Sequence, residues 1–419
     1  MLKIWFKTPF WQRVLGAFVL GSALGILAPA LGVAVQPLGQ LFIHSIQMLV
    51  APLVFITIVC AMFSLGSEKG FGKIAGKTVL LFVFTAFLAG LIGLSVAHFI
   101  NLSPSTQLVA AENTVRTVPP VSQVLLDIIP RNPFAALAEG NVLQIIVFAV
   151  LVGLALNKLD ESVAPLKRGF EAARDVMFQL TRWVLELTPI GVFGLMAWVV
   201  GSFGLDMLLP LGKFIIAIYI ACLLQMALTY GGLLHFFGGM KVSRFFKTVF
   251  PTQLIAFSTS SSYGTLPSTL KTTTEGLKVS PRYASFVAPL GATINMDGCG
   301  GIYPAIAAVF IAQLYGIPLG MEQYLLIMLT ATLASLGTAG IPGSAVIMLT
   351  VTLSVVGLPL EGIAFIAAID RIIDMIRTTT NITGDMVVAR VVAYQEGLLD
   401  EESSVESTGD IEKPCIQPC

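Results

Sequence analysis

Charge is what this 419-residue chain has least of: Asp, Glu, Lys and Arg together make up 11% of it, against about a quarter in a typical soluble domain. A deficit of that size excludes an ordinary water-soluble globule. Histidine is nearly absent, and His44, His98 and His235 are scattered at no ligand spacing, which excludes a His-built zinc site. The cysteines (Cys60, Cys222, Cys299, Cys415, Cys419) follow no framework spacing, so no disulfide network is expected. There is no phosphate-cradling glycine loop and no nucleophile–histidine pair, so nothing supports an enzyme. From 283 to 370 the chain contains neither Lys nor Arg.

What fills the space is apolar. Hydrophobic residues make up 56%, mean hydropathy is +0.87, and apolar runs of roughly 20 residues recur, long enough to cross a bilayer. These features specify an all-α polytopic membrane protein. Spans are expected near 12–33, 39–65, 77–101, 141–157, 172–200 and 207–236. Lys3/Lys7/Arg13, Lys69/Lys73/Lys77, Lys158/Lys167/Arg168, Lys241/Arg244/Lys247 and Lys271/Lys278/Arg282 fall in alternate connections. Positive residues stay on the cytoplasmic side, so the amino terminus is expected there. The basic N-terminus lacks a small-residue cleavage site and reads as a retained first span. The loop at 102–140 is expected outside, beside an Asn101-Leu102-Ser103 acceptor pattern that is common by chance. Arg174 and Glu171 are expected on a solvated helix end. Zero net charge hides a split, because 396–419 hold seven acids and one Lys, a disordered, acidic cytoplasmic tail.

The second half is interrupted. Ser258–Pro267 and Ser335–Ala345 are Ser/Thr/Gly/Pro tips between apolar arms of about 10–14 residues, too short to span. These are candidate re-entrant hairpins, and paired interrupted segments point to a transporter binding site. A third break, Gly291-Ala-Thr-Ile-Asn-Met-Asp-Gly298, frees backbone carbonyls and adds Asn295 and Asp297, hard oxygen donors suited to a small alkali cation.

Downstream, Asp370, Asp374, Arg377, Asn381 and Asp385 fall within roughly 60° of one helix face at 100° per residue. A charge at bilayer depth costs about 2.5–3.5 kcal/mol even on the lenient scale. Two readings remain. Asp374 and Arg377 could pair at i, i+3 as helix–helix glue, with Arg371 paired to Asp370 or Asp374. Alternatively, Asp374 accepts an α-ammonium and Arg377 offers a planar fork to a distal carboxylate. Ser260, Ser261 and Ser262 and the hairpin helix N-termini would then meet the α-carboxylate. The glue reading leaves the continuation of the same face through Asn381 and Asp385 unexplained.

Four ordered motifs now stand: Ser-Ser-Ser-Tyr-Gly-Thr-Leu-Pro, Asn-Met-Asp-Gly, Gly-Thr-Ala-Gly-Ile-Pro-Gly and Asp-Met-Ile-Arg-Thr-Thr-Thr-Asn-Ile-Thr-Gly-Asp. With Ile129–Phe134 and Thr188–Phe193, they resemble the dicarboxylate/amino acid:cation symporter family across about 10–395. An archaeal member of that family is among the transporters behind the interrupted-helix rule.

The resemblance implies eight transmembrane helices plus two re-entrant helical hairpins with inverted repeats, assembled as a homotrimer in the inner (plasma) membrane. It implies a scaffold of 1–70 and 106–204, and a transport part of 71–105 and 205–395 moving as an elevator. Within the latter, hairpin 1 covers about 243–277, span 7 about 282–314, hairpin 2 about 323–356 and span 8 about 359–395. Hairpin 2 would be the extracellular gate, and both termini would be cytoplasmic. Partners would be the lipid bilayer and a small-molecule substrate, with no nucleic acid and no cofactor.

Carried over by motif, substrate contacts fall on Ser261, Ser262, Ile341, Gly343, Asp374, Arg377, Thr378 and Asn381, beside Ser260. One Na+ site falls on Gly291, Asn295, Asn381 and Asp385, and a second on Thr293, Met296, Ser335, Leu336 and Thr338. A weaker third would use Thr85 with Asn295 and Asp297, because Phe82, Thr85 and Ala86 stand where hydroxyl-bearing residues are typical. The coupling ion is therefore Na+ or partly H+. Relatives taking acidic amino acids carry an extra Arg where this chain has Ser260 or Met375, and Arg371, one turn earlier, is a hypothetical substitute. The segment around Cys299 also resembles the cystine-transporting branch. The expected activity is symport of aspartate or glutamate. Cystine or a C4-dicarboxylate is the alternative within transport, and a substrate-gated anion channel is the alternative outside it.

Overall fold

In a bilayer, backbone polar groups have no water to bond, so each must be satisfied within its own helix. The computed structural model follows that rule. It describes residues 10–64, 72–100, 102, 129–159, 161–204, 208–338, 340–367 and 369–400. Among these, apart from one isolated bridge between Val279 and Leu399, no strand forms. The Asn101 acceptor pattern, residues 103–128 of the long loop, Lys3, Lys7, Lys69, Cys415, Cys419 and the tail beyond 400 lie outside the described residues.

The helices of the first half are α1 (Phe10–Leu27), α2 (Pro29–Ala34), α3 (Gln36–Ser64), α4 (Gly72–Phe99), α5 (Pro133–Glu139), α6 (Val142–Lys158), α7 (Ala164–Glu186) and α8 (Thr188–Phe203). The second half holds α9 (Leu208–Leu224), α10 (Gly231–Phe237), α11 (Val242–Thr259), α12 (Ser262–Lys271), α13 (Pro281–Ile294), α14 (Tyr303–Leu314), α15 (Met321–Gly337), α16 (Ser344–Val356), α17 (Ile363–Ala367) and α18 (Asp370–Gln395). Among the described residues, four stretches are long and apolar enough to cross a membrane: 29–63, 72–99, 208–237 and 281–314.

Several expected boundaries are corrected. The span at 12–33 breaks at Ala28 (φ −144°, ψ 74°), because the residue before Pro29 is pushed out of the α region. The span at 172–200 is two helices bent by 45° at Leu187. Pro189 has no N–H for the Leu185 carbonyl, which the Thr188 hydroxyl takes instead at 2.6 Å. The first arms of the hairpins run 18 and 17 residues, longer than expected. The span expected at about 359–395 is interrupted between α17 and α18, so the charged stripe opens its own helix at Asp370.

Close backbone contact fixes the first layer. Gly25 of α1 lies where a Cβ would sit 2.7 Å from Gly201 N and 2.8 Å from Ala197 O of α8, the small-residue packing that lipid-embedded helices rely on. Helices α4 and α9–α13 pack around α18. Although it is the polar helix, every residue from Ile376 to Ala393 is buried. Its far end is held by Arg390, which donates to the carbonyls of Gly238 (3.0 Å), Leu277 (2.9 Å) and Gly239 (3.3 Å). A charge that cannot reach water is thus met by the free carbonyls of two helix ends.

Candidate functional site

Two hairpin tips meet beside α18. Thr259 ends α11, Ser260 takes a left-handed conformation (φ 52°), and Ser261 caps α12 by accepting from Gly264 N at 3.0 Å. The Ser261 hydroxyl and the Tyr263 amide both donate to the Gly340 carbonyl at 3.1 Å, joining the first tip to the second. Ser260 and Ser262 are buried, and Ser260 Oγ has no partner among the described residues. In the second tip, Ile341 is buried, and Gly343 (φ 76°) donates its amide to Asp374 Oδ2 at 3.2 Å. Glycine supplies that left-handed turn without the strain a Cβ brings.

On α18, Arg377 is fully buried and its Nη2 donates to Asp370 Oδ1 at 2.7 Å and Asp374 Oδ1 at 3.1 Å. Its guanidinium lies 4.0 Å above the Tyr303 ring centroid, a cation–π contact. Nε and Nη1 of Arg377 have no hydrogen-bond acceptor among the described residues. The i, i+3 pair of the glue reading therefore exists, yet it leaves two donors of the fork unused. Thr378, on the same helix, is buried. Arg371 donates from Nη2 to the Thr259 carbonyl at 3.3 Å, which ties α18 to the end of the first hairpin arm.

One turn further, Asn381 Oδ1 accepts from Gly298 N at 2.7 Å, while its Nδ2 faces Met296 Sδ at 3.1 Å and Cys299 Sγ at 3.2 Å. Asp385 Oδ1 accepts from Asn295 Nδ2 at 2.8 Å. The helix break falls at Asn295–Met296, followed by a π-helical turn at Asp297–Ile302, as the glycine-rich segment implied. Gly291 packs so closely on Asp385 that a Cβ would overlap the carboxyl group. Ser335 Oγ accepts from Met296 N at 2.9 Å, which brings hairpin 2 to the break. Thr338 and Thr293 instead spend their hydroxyls on their own helices, on Ala334 O at 2.7 Å and Pro289 O at 2.8 Å, and Leu336 is partly buried.

Thr85 reaches the same region. Its hydroxyl lies 3.4 Å from Asn295 Oδ1 and 3.3 Å from Asp297 Oδ1, with Phe82 O at 3.1 Å. Two residues that sequence reasoning missed complete this knot. Gln225 Nε2 donates to Asp297 Oδ2 at 3.0 Å and to Thr85 O at 3.1 Å, and Tyr230 OH donates to Asp297 Oδ2 at 2.7 Å. They flank a π-helical segment, Gln225–Tyr230, that turns both inward. The one available signal was an amide within an otherwise apolar run. Tyr303 beneath Arg377 was missed as well.

The charge balance decides what such a site can do. Asp297, Asp370, Asp374 and Asp385 are buried around α18 against two buried guanidiniums, those of Arg377 and Arg390, and Arg390 spends its donors on carbonyls at the far end of the helix. Buried carboxylates in excess of cations are costly unless a cation or proton joins them. Amide, carboxylate and carbonyl oxygens of Asn381, Asp385, Asn295 and Gly291 are the hard donors that sodium prefers. No cluster of three His, Cys, Asp or Glu fit to hold a metal occurs among the described residues.

Comparison with known proteins gives the same direction. Residues 10–395 match the family described as the sodium:dicarboxylate symporter family. The proton/sodium-glutamate symport protein of Geobacillus stearothermophilus is 33% identical over 416 residues, covering 96% of this chain and 98% of that one. The proton/glutamate-aspartate symporter of Escherichia coli (strain K12) is 35% identical, covering 94% of each. A C4-dicarboxylate transport protein of Yersinia enterocolitica is 36% identical, covering 95% of this chain and 94% of the other. With its tips, broken helix and buried carboxylates already placed around α18, the chain belongs to the sodium:dicarboxylate symporter family.

Proposed function

We propose that this protein is a secondary active symporter that imports an acidic amino acid, aspartate or glutamate, across the plasma membrane together with Na+ or H+. The observation that carries the proposal is the excess of four buried carboxylates around α18 over the buried guanidiniums of Arg377 and Arg390, with Nε and Nη1 of Arg377 unmet among the described residues. Asp374 would receive the α-ammonium and Arg377 the distal carboxylate, with Thr378 beside them. The tip segments Ser260–Ser262 and Ile341–Gly343 would enclose the α-carboxylate. Asn381, Asp385, Asn295 and the carbonyl of Gly291 would hold one cation. Met296, Thr293, Ser335, Leu336 and Thr338 would serve a second, and Thr85 with Asp297 a third.

We further propose the trimer of eight-span subunits with two hairpins, and elevator movement of 71–105 and 205–395 against 1–70 and 106–204. The contact of Gly343 with Leu185 of α7, and of Gly337 with Ile58 of α3, supports hairpin 2 as the surface that slides on the scaffold. A C4-dicarboxylate is the second reading, favoured by the Yersinia relative. Asp374 weighs against it, because a dicarboxylate has no ammonium to pair with a carboxylate. Reconstituted protein under an imposed Na+ or proton gradient tests both. Labelled aspartate should accumulate above equilibrium, with glutamate competing more strongly than succinate or cystine. Substrate that only equilibrates marks a channel, and stronger competition by succinate assigns a dicarboxylate carrier.

A further inference from the structure

We propose that a cavity of about 290 Å³ between α3, α7, α12 and α13 is the cytoplasm-side antechamber of the site, where Arg174 and Arg282 hold the substrate carboxylate in transit. The inference rests on the acidic-solute reading above and adds a second station to it. The sequence placed Arg174 on a solvated helix end. Here its side chain is 31% exposed and lines the cavity, facing Arg282 from the first turn of α13. Ser285 and Thr293 add hydroxyls, and no Asp or Glu lines the cavity among the described residues. Asp175, 3.1 Å from Arg174, is 68% exposed, and Glu171, one turn earlier on α7, is exposed as well, so these carboxylates neutralise the cavity weakly.

Position makes this charge useful. The inner wall is formed by Tyr263 and Thr293. The Tyr263 amide shares the Gly340 carbonyl with Ser261, so the cavity ends at the seal between the two hairpin tips. Parting that seal would join it to the space around Arg377. Arg174 and Arg282 lie next to the basic groups at 158–168 and 271–278, which the charge rule assigns to the cytoplasm. Two guanidiniums in a low-dielectric cleft focus the field on an arriving anion. Aspartate and glutamate fit such a funnel, and neutral amino acids gain nothing from it.

Cys60 lines the same cavity and serves as a reporter. The full-length protein is treated with anionic and cationic methanethiosulfonates of similar size, and Cys60 modification is read by peptide mass mapping. Rates are normalised to each reagent's reaction with free cysteine. The anionic reagent should be favoured by roughly tenfold or more, the lower range of electrostatic focusing. In Arg174→Gln/Arg282→Gln that preference should vanish. High aspartate should slow the anionic reagent, while serine and equimolar chloride should not.

The double variant should exchange aspartate roughly 3- to 10-fold more slowly at low salt, converge with the wild type as salt screens the field, and keep its equilibrium aspartate affinity. Equal rates for the two reagents, an unchanged preference in the double variant, or protection by chloride equal to aspartate would overturn the antechamber. Wild-type protein that binds no aspartate in any cation would instead overturn the acidic-solute reading. The two failures are therefore separable.

Discussion

Replacing Arg377 with Gln keeps much of the side chain's volume and removes its charge, and the consequences divide into two parts. The first is structural. Asp370 Oδ1 and Asp374 Oδ1 lose donors at 2.7 and 3.1 Å, and Tyr303 loses the cation 4.0 Å from its ring. Removing one member of a buried ion pair costs about 3–5 kcal/mol because the partner charge stays buried. Thermal stability should therefore fall, as read by the melting transition. The second part concerns the ligand. Truncating one side of a buried, hydrogen-bonded charge pair costs about 2–5 kcal/mol, or roughly 30- to 4,000-fold in affinity at 1.4 kcal/mol per decade.

The assay is equilibrium aspartate binding and gradient-driven uptake in proteoliposomes, with alanine and serine measured beside it. Aspartate and glutamate should lose affinity by that factor. A neutral amino acid, which never used the fork, should change by less than about threefold, well under one decade of affinity. Aspartate uptake within threefold of wild type, in a variant shown to be folded by its melting transition, would refute the role given to Arg377.

Four further outcomes follow from the geometry. Gly291→Ala drives a Cβ into Asp385, so the Na+ concentration needed for half-maximal aspartate binding should rise at least about tenfold, or 1.4 kcal/mol, as read by a Na+ titration. Gln225→Leu strips a donor from both Asp297 and the Thr85 carbonyl and should lower thermal stability by about 1–3 kcal/mol; an unchanged melting transition would dismiss the knot as incidental. Arg371→Glu removes the donor to the Thr259 carbonyl and places a like charge beside Asp370, so uptake should fall by at least about tenfold, and unchanged uptake rejects a role for Arg371. The hydrogen bond and charge of Lys77, 2.7 Å away, hold the Glu396 carboxyl below its usual range. That stabilisation exists above the unfolded pKa and is lost as pH falls through the folded one. Glu396→Gln should therefore melt lower than wild type at pH 7, with the difference closing in acid.

The stripe on α18, the two tips and the break at Asn295 were legible because polar residues in an apolar chain mark themselves by cost. Asp374, Arg377, Asn381 and Asp385 could be grouped by a 100° repeat, and the group survives because α18 is a regular helix. The repeat fails where the helix changes type. Gln225 and Tyr230 lie five residues apart and still reach one carboxylate, because the π-helical segment between them resets the angle. Tyr303 was hidden for a different reason: an aromatic at the start of an apolar helix looks like core until the partner above its face is known. The bend at Leu187 shows the limit of hydropathy, since a window average runs across a missing backbone donor without registering it.

The same broken segment bears on how cation and solute could assist one another. Asn295 bonds Asp385, Gly298 bonds Asn381, and Cys299 lies 3.8 Å from Asp374. Within five residues the chain thus touches a carboxylate proposed for the cation, an amide proposed for both ligands and a carboxylate proposed for the ammonium. Such unwound backbone adjusts readily, having no complete helical ladder to defend. A cation drawing Asn295 and Asp385 together would fix Gly298 and Cys299 in place, and with them the rotamers of Asn381 and Asp374. Linkage requires the reverse as well: whatever factor Na+ adds to aspartate affinity, aspartate must add to Na+ affinity. A Gly298→Ala substitution probes this link at its centre, because its Cβ would stand 2.6 Å from the Arg377 carbonyl, beside the amide that bonds Asn381. The mutual enhancement should shrink toward unity, measured as aspartate Kd at saturating and zero Na+ beside Na+ affinity at saturating and zero aspartate. Full enhancement in that variant would mean that coupling travels outside the break.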